Sequence, residues 1–401
     1  MNKTAAVATP GLHICIATGQ NLANLIPALQ CKANEVWILQ TPQMRASAGH
    51  LADALKARSI SVQRIDFADD DVTTLHAQAA GIAERLDGRA VTINLTGGTK
   101  LMTLALTETL AAHLSTNNAA AQPHLVYTDT KNHRLDWLRP EPRSEVMISV
   151  LNINDTLLVQ GYRQVDATGG ADAAWRQRDA SQRSELTKYL GHEAQELDEL
   201  LSRLNGLAQA ALNGRGPLLP KQNVSLPANP RRAQKLRDVL ARAAGSGGLL
   251  DWDGRGAVTF HDEAAARYIG GGWVEEFAAS KMRGYVQCDC ASQLRVRSMR
   301  IDDASDDSTN ELDAVMVHGN RMLVVECKAA VTTNDDKLAD WIYKISQVAR
   351  SVGGQMAQPL LLSAREIGDK PRRRALDYGV AVLAAGELTS FPDYLRRWMA
   401  G

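Results

Sequence analysis

The sequence is poor in cysteine, carries no net charge and contains no long apolar run. Its five cysteines, Cys15, Cys31, Cys288, Cys290 and Cys327, are odd in number and scattered. That excludes a disulfide framework and makes a reducing cytoplasm the expected compartment. Cys288 and Cys290 are one residue apart with no second cysteine pair to face them, which argues against structural zinc. Forty-five Lys and Arg balance 45 Asp and Glu, so no global field draws nucleic acid and any such binding must use local patches. No stretch reaches the roughly 20 apolar residues of a membrane span. The N-terminus also lacks the basic, apolar and small-residue sections of a signal peptide, so no membrane partner is expected. What remains is globular: 45% hydrophobic and 22% charged over 401 residues, a length that suits two or three domains.

Residues 1–155 read as the first domain. Short apolar strands over Leu12–Ala17, Glu35–Leu39, Ser61–Ile65 and Val91–Leu95 alternate with helices near 22–29, 46–58 and 75–86. That alternation predicts a doubly wound, Rossmann-like parallel sheet, with a ligand crevice beyond the carboxyl ends of its strands. Thr96-Gly97-Gly98-Thr99-Lys100 sits at one such end and opens a helix. Its glycines permit close backbone approach, and the helix start offers free N–H donors to phosphate oxygens. Thr18-Gly19-Gln20 falls on the same rim. The spacing is not that of a Walker A loop. An ordinary capped strand-to-helix turn is the plainer alternative; the two rims together favour a phosphorylated ligand.

Residues 156–265 read as a helical, winged-helix-like connector. Ala167-Thr168-Gly169-Gly170-Ala171 marks a boundary or exposed loop, and Gly214 to Pro230 is a Gly-, Pro- and Asn-rich loop. Helices are predicted over 184–190, 196–207 and 231–243, followed by a hairpin over 249–260. A structural bridge is favoured over an independent DNA reader.

Residues 266–401 read as a small α/β domain. A helix begins in Gly271-Gly272-Trp273-Val274-Glu275-Glu276-Phe277, strands are predicted at 285–288 and 293–297, and an acidic stretch, Asp302 to Asp307, precedes a hairpin. A helix over 341–352 and strands at 359–363 and 380–383 follow. In the hairpin, Asp313 precedes the apolar run Ala314–Val317, His318-Gly319-Asn320 turns the chain, and Arg321–Val325 delivers Glu326 and Lys328. Period-two geometry puts Glu326 and Lys328 on one face of the strand. Glu-x-Lys alone is a weak pattern, since charged residues often decorate solvent-facing strands. Here it ends a core strand, Asp313 can reach the same end, and Glu275 lies on a helix that can pack against the sheet. Two carboxylates and a lysine so placed suit a Mg²⁺ or Mn²⁺ ion and a water beside a phosphate.

Taken together, these residues resemble a CARF-domain nuclease, an ancillary effector of type III CRISPR immunity. Leu95-Thr96-Gly97-Gly98-Thr99-Lys100-Leu101-Met102 resembles the signature of the CARF domain, a Rossmann-like sensor of cyclic oligoadenylates. Asn310-Glu311-Leu312-Asp313, Glu326-Cys327-Lys328, Gly271–Glu276 and Val352-Gly353-Gly354 resemble a PD-(D/E)xK restriction-endonuclease-like domain, with Leu312 where the motif name has proline. The resemblance implies that Asp313 and Glu326 ligate the metal and that Lys328 positions the attacking water. Glu275 would complete the site, with Glu276 its competitor. It also implies that Thr18, Gly19, Gln20, Thr96, Gly97, Gly98, Thr99 and Lys100 line a cyclic tetra-adenylate, with cyclic hexa-adenylate the other ring. A symmetric ring implies a homodimer sharing one ligand site. The implied activity is ring-activated, metal-dependent cleavage of DNA, RNA or both with little sequence preference. Two other readings stand beside it: a ligand-responsive transcription regulator using the middle segment, and a nuclease that degrades the ring itself.

Overall fold

A computed structural model describes residues 9–68, 71–117, 122–165, 180–213, 220–245, 248–299, 309–329 and 335–401. The stretch 167–171, the start of the loop at 214–219 and the acidic run Asp302 to Asp307 lie outside the described residues. The first domain runs β1 (Leu12–Ile16), α1 (Leu22–Gln30), β2 (Glu35–Gln40), α2 (Arg45–Ala57), β3 (Ser61–Asp66), α3 (Val72–Leu86), β4 (Val91–Asn94) and α4 (Lys100–Asn117). It continues through β5 (His124–Asp129), β6 (Arg134–Arg139) and β7 (Arg143–Val146). The strand order is β3-β2-β1-β4-β5-β6-β7. The first five pair in parallel, and β5-β6-β7 are antiparallel.

This sheet is buried on both faces, and alternate residues divide between them. Ile14, Ile16, Trp37 and Leu39 pack on α3 and α4 through Leu75, Ile82, Met102 and Leu106. Cys15, Ala17, Val36 and Ile38 pack on α1 and α2. The β6–β7 edge departs from the predicted all-parallel sheet. In β6 only Leu135 and Trp137 are buried, alternating with Arg134, Asp136 and the exposed Leu138, the pattern of a strand covered on one face, which escapes a search for continuous apolar runs.

A capping box between Asn152 and Asp155 opens α5 (Ile153–Val159). Arg58 at the end of α2 reaches the same carboxylate at 2.5 Å, so α5 is pinned to the first domain. Residues 162–164, expected in the connector, form β8 (Tyr162–Gln164) at the edge of the third segment's sheet, paired with Val296–Ser298. The middle then builds α6 (Ser184–His192), α7 (Asp198–Leu212), β9 (Gln222–Asn223), α8 (Pro230–Ala244), β10 (Leu250–Trp252) and β11 (Ala257–Phe260). The short strands form a three-stranded sheet in the order β10-β11-β9.

The third segment contains α9 (Glu263–Arg267), α10 (Trp273–Met282), β12 (Asp289–Ser298), β13 (Thr309–His318), β14 (Arg321–Lys328) and α11 (Asp335–Gly353). β15 (Ala357–Ser363), α12 (Asp369–Asp377), β16 (Ala381–Ala384) and α13 (Phe391–Ala400) complete it. Its mixed sheet has the order β16-β15-β14-β13-β12-β8, with β14, β15 and β16 parallel and the rest antiparallel. The strand predicted at Tyr285–Cys288 is absent. Those residues form turns closed by Tyr285 N–H to the Met282 carbonyl and Cys288 N–H to the Tyr285 carbonyl. The Tyr285 hydroxyl donates to the Pro392 carbonyl, tying the stretch to α13 instead of to a neighbouring strand.

The two faces of this sheet bury different partners. Met316, Leu323, Val325 and Leu360 pack against the middle segment and α10. Val315, Val317, Met322 and Val324 share one core with α1, α2 and α5 of the first domain. The chain is therefore three segments around two cores that cross segment boundaries. Among the described residues no helix is long and apolar enough to cross a membrane.

Candidate active site and ligand pocket

The turn between β13 and β14 is Gly319-Asn320, both with positive φ (56° and 64°), the signature of a two-residue hairpin turn matched to strand twist. The buried Asn320 side chain also accepts from Val150 and Leu151 N–H and donates to the Ile148 carbonyl, docking the hairpin tip on the chain that leaves the first domain. From there the ladder runs to Ala314 opposite Val325. Beyond that pair Asp313 Oδ2 accepts the Cys327 N–H at 2.7 Å, so a carboxylate replaces a backbone carbonyl where the strands part.

Into this gap come four of the residues singled out from the sequence. Glu326 and Lys328 lie on one face of β14 and form an ion pair of 2.5 Å, both half-buried. Burial pushes the Asp313 carboxyl up to about 7, and the charges of Glu326 and Glu275 add to the effect. The Cys327 N–H and Lys328 oppose it only in part. Burial by itself would lower Lys328, but Glu326 and Asp313 outweigh it and hold the ammonium above its ordinary value. That ammonium also lies 5.7 Å from the Trp341 ring centre, within cation–π range. The approach of α10 depends on Gly271, whose φ is 155° and where a Cβ would meet Ala329 at 3.0 Å, directly after Lys328.

Glu275 and Glu276 face different surroundings. Glu275 Oε2 accepts from Gln293 Nε2 at 2.5 Å. Glu276 is held by Arg183 at 2.9 Å and by the Thr187 hydroxyl at 3.0 Å, and burial raises its pKa. Arg183 is 1% exposed, so this is a buried ion pair joining α10 to α6. A cleft of about 450 Å³ opens beside both Glu275 and Glu276, lined among others by Arg183, Gln293, Glu311 and Arg267. Gln293 and Trp341 went unread in the sequence. Nothing in a local pattern marks a glutamine inside a strand, and Trp341 reaches Lys328 only through the fold.

The first-domain pocket is built otherwise. Asn94, at the end of β4, donates to the Ala23 carbonyl and to Asn24 Oδ1. Its own Oδ1 accepts from the Thr96 N–H and hydroxyl. Thr96 Oγ1 in turn accepts the Thr128 N–H at 2.7 Å. Thr18 N–H donates to Asn21 Oδ1, and Thr18 Oγ1 accepts the Gln20 N–H. Gly97 is required by packing: a Cβ there would lie 2.1 Å from the Ile16 carbonyl oxygen.

Thr18, Gln20, Thr96 and Gly97 line a cavity of about 230 Å³ together with Asn24 and Tyr127. Gly19, Gly98, Thr99 and Lys100 are exposed beyond that lining, and Thr99 caps α4 by accepting the Met102 N–H. The far wall belongs to the third segment. Gln355 and Met356, between α11 and β15, line the same cavity, and the Gln355 N–H donates to Gln20 Oε1 at 3.3 Å. Asn24 and Asn94 carried a faint sequence signal as buried amides among apolar residues. Gln355 carried none, since its partner lies 335 residues away in the chain.

A family model described as the Card1 CARF domain matches residues 12–155. A second, described as Card1-like, endonuclease domain, matches residues 262–401. No curated protein matches the sequence. Among solved structures, protein VC1899 from Vibrio cholerae has the same fold with a TM-score of 0.79 at 21% identity, over 97% of this chain and 98% of that one. Can2 from Sulfobacillus thermosulfidooxidans, in complex with cyclic tetra-adenylate, aligns with a TM-score of 0.73 at 20% identity over 97% and 99%. A type III CRISPR defence DNA nuclease activated by cyclic oligoadenylate aligns with a TM-score of 0.53 at 18% identity, over 89% of this chain and 46% of that one.

Proposed function

We propose that this chain, whose two ends match the Card1 CARF and Card1-like endonuclease models, is a metal-dependent nuclease of type III CRISPR defence, switched on by a cyclic oligoadenylate. The observation that carries the reading is the gathering of Asp313, Glu326, Glu275 and Lys328 where β13 and β14 part. Carboxylates crowded around a buried carboxyl are poorly compensated by one lysine, which suits a bound divalent cation. Among the described residues no group of three His, Cys, Asp or Glu is arranged to hold a metal ion. Asp313 and Glu326 would therefore hold Mg²⁺ or Mn²⁺ as a pair, as suits an ion that keeps several waters. When bound, the cation supplies charge stabilisation and a more acidic water. Lys328 orients the attacking water, and Glu275 completes the acidic set.

In the first domain, Thr18, Gly19, Gln20, Thr96, Gly97, Gly98, Thr99 and Lys100 form one half of a ring site, with cyclic tetra-adenylate the activator and cyclic hexa-adenylate the other ring. A cavity of about 230 Å³ is below the roughly 300 Å³ at which ligand pockets begin, in keeping with a homodimer that shares one ring across a two-fold axis. The Gln355 and Met356 wall supports coupling. A ligand that fits the pocket better in one arrangement of the third segment shifts the population toward it. We divide the chain at 1–155, 156–265 and 266–401. Burial of the middle segment against the nuclease sheet favours a bridge. The five free thiols suit a reducing cytoplasm.

The test is cleavage of single-stranded DNA, supercoiled duplex and single-stranded RNA with Mg²⁺ or Mn²⁺, each with and without either ring. Cutting that depends on ring is expected. Equal cutting without ring overturns the switch, and no cutting of any polymer overturns the nuclease.

A further inference from the structure

Gln293 lies where the β12–β13 ladder is interrupted directly opposite Asp313. Pairing is intact on both sides, Ser292 with Ala314 and Leu294 with Leu312, and the register does not slip. Gln293 itself has φ 53°, a left-handed conformation uncommon in residues other than glycine. Both strands change faces here. Ala314 and Met316 pack toward the middle segment, whereas Leu312, also even-numbered, joins the core shared with the first domain.

A turn of this kind in mid-strand is most easily made by glycine or asparagine. A glutamine there retains a long side chain, and its amide is engaged: Nε2 donates to Glu275 Oε2 at 2.5 Å. Glu275 is close enough for its charge to be felt at Asp313. A lysine in this place would neutralise Glu275. An amide orients the carboxylate without itself neutralising it. Strain tolerated in the backbone beside reacting groups is a pattern found at functional sites.

We propose that Gln293 is a positioning residue of the nuclease site, using its left-handed backbone to turn its amide onto Glu275 and hold that carboxylate at the interruption of the ladder opposite Asp313. The proposal rests on the nuclease reading for its consequence and on the hydrogen bond for its geometry.

The test is a double-mutant cycle of Gln293→Gly, which keeps the left-handed backbone and removes the amide, with Glu275→Ala. It is read in ring-activated cleavage and in urea denaturation of the full chain. Gln293→Gly is expected to lower kcat about 10- to 100-fold, the scale of a misplaced catalytic group, with KM and ring affinity within about twofold of the parent. In the Glu275→Ala background the same substitution should change kcat less than twofold, and its effect on stability should shrink as well. Unchanged kcat in Gln293→Gly, or effects that multiply independently, overturns the proposal. If the parent protein cuts no polymer, the nuclease reading fails by itself. The denaturation cycle still decides whether Gln293 holds Glu275, and additive stabilities there overturn the positioning.

Discussion

The two sites differ in how they deal with charge. In the first domain the pocket is a mesh of neutral donors and acceptors, in which Asn94, Thr96, Asn24 and Thr128 satisfy one another. In the third segment three carboxylates and one lysine converge, and Asp313 is pushed up to about 7. A satisfied neutral mesh is rigid and shaped for recognition. A crowded acidic cluster is poised for a cation and for proton chemistry, and it holds together only because the surrounding fold enforces it. The contrast assigns binding to one end of the chain and chemistry to the other, with Gln355 touching the pocket from the nuclease side.

The sharpest way to break that contrast is to remove a charged group. Glu326→Ala and Lys328→Ala should each lower cleavage on the order of 10³-fold or more, as when charge stabilisation is lost from a phosphoryl-transfer site. Ring binding, followed by calorimetry, should stay within about twofold. Cleavage that survives, or ring binding that collapses, would show that the division is wrong.

The neighbouring carboxylate should behave differently. Glu276→Ala removes the carboxylate that pairs with the buried Arg183, and breaking a buried pair typically loses about 3–5 kcal/mol. Urea denaturation should register that loss. If Glu276→Ala keeps full stability and loses only activity, Glu276 belongs to the reacting set.

The two ends should also answer pH in opposite senses. Burial, helped by His124, lowers His13 from 6.5 to about 4. Between those values the unfolded chain binds a proton that the folded one refuses, so stability falls as pH drops, by about 3 kcal/mol in all. Asp313 is raised from 3.8 to about 7. In metal-free protein the folded state keeps a proton that the unfolded state releases, so stability falls as pH rises through that window. His13→Gln should flatten the acid side of a stability–pH curve, and Asp313→Asn should raise metal-free stability at pH 7 but not at pH 4. A curve unmoved by either substitution would contradict the contrast.

The smallest effect expected is steric. Gly97→Ala brings a Cβ against the Ile16 carbonyl, an overpacking of about 1–3 kcal/mol. It should weaken ring binding about 10- to 100-fold while metal affinity of the third segment is unchanged. Unaltered ring affinity would place the ligand away from the β4–α4 turn.

How far these features can be read from the chain depends on whether their cause is local. The apolar run of β14 ending in Glu326 and Lys328 and the Gly319-Asn320 turn depend on neighbours within a few residues and were legible; the β4–α4 glycines were legible as a strand-to-helix turn, but the contact with Ile16 that requires Gly97 was not. The β6–β7 edge was not, because half-buried strands share their composition with surface loops. Tyr285–Cys288 has the composition of a strand, but contacts with α13 bend it into turns. Glu275 and Glu276 are not separated by helix phase alone; what distinguishes their surroundings is Arg183, about ninety residues upstream in the chain, which pairs with Glu276. Gln293 and Gln355 act only through partners that the fold supplies.

The three-residue strand β8 has a practical consequence for genetic modularity. It closes one edge of the nuclease sheet against Val296–Ser298, yet it lies about a hundred residues ahead of the stretch that matches the endonuclease family. A gene fragment beginning at residue 262 would encode the acidic cluster but leave β12 with an open edge, a template for strand addition between molecules. It would also strip the cover from Val315, Val317 and Val324. Recombination that transplants this nuclease onto another sensor must carry the strand with it or supply a replacement, so the heritable unit is larger than the catalytic one.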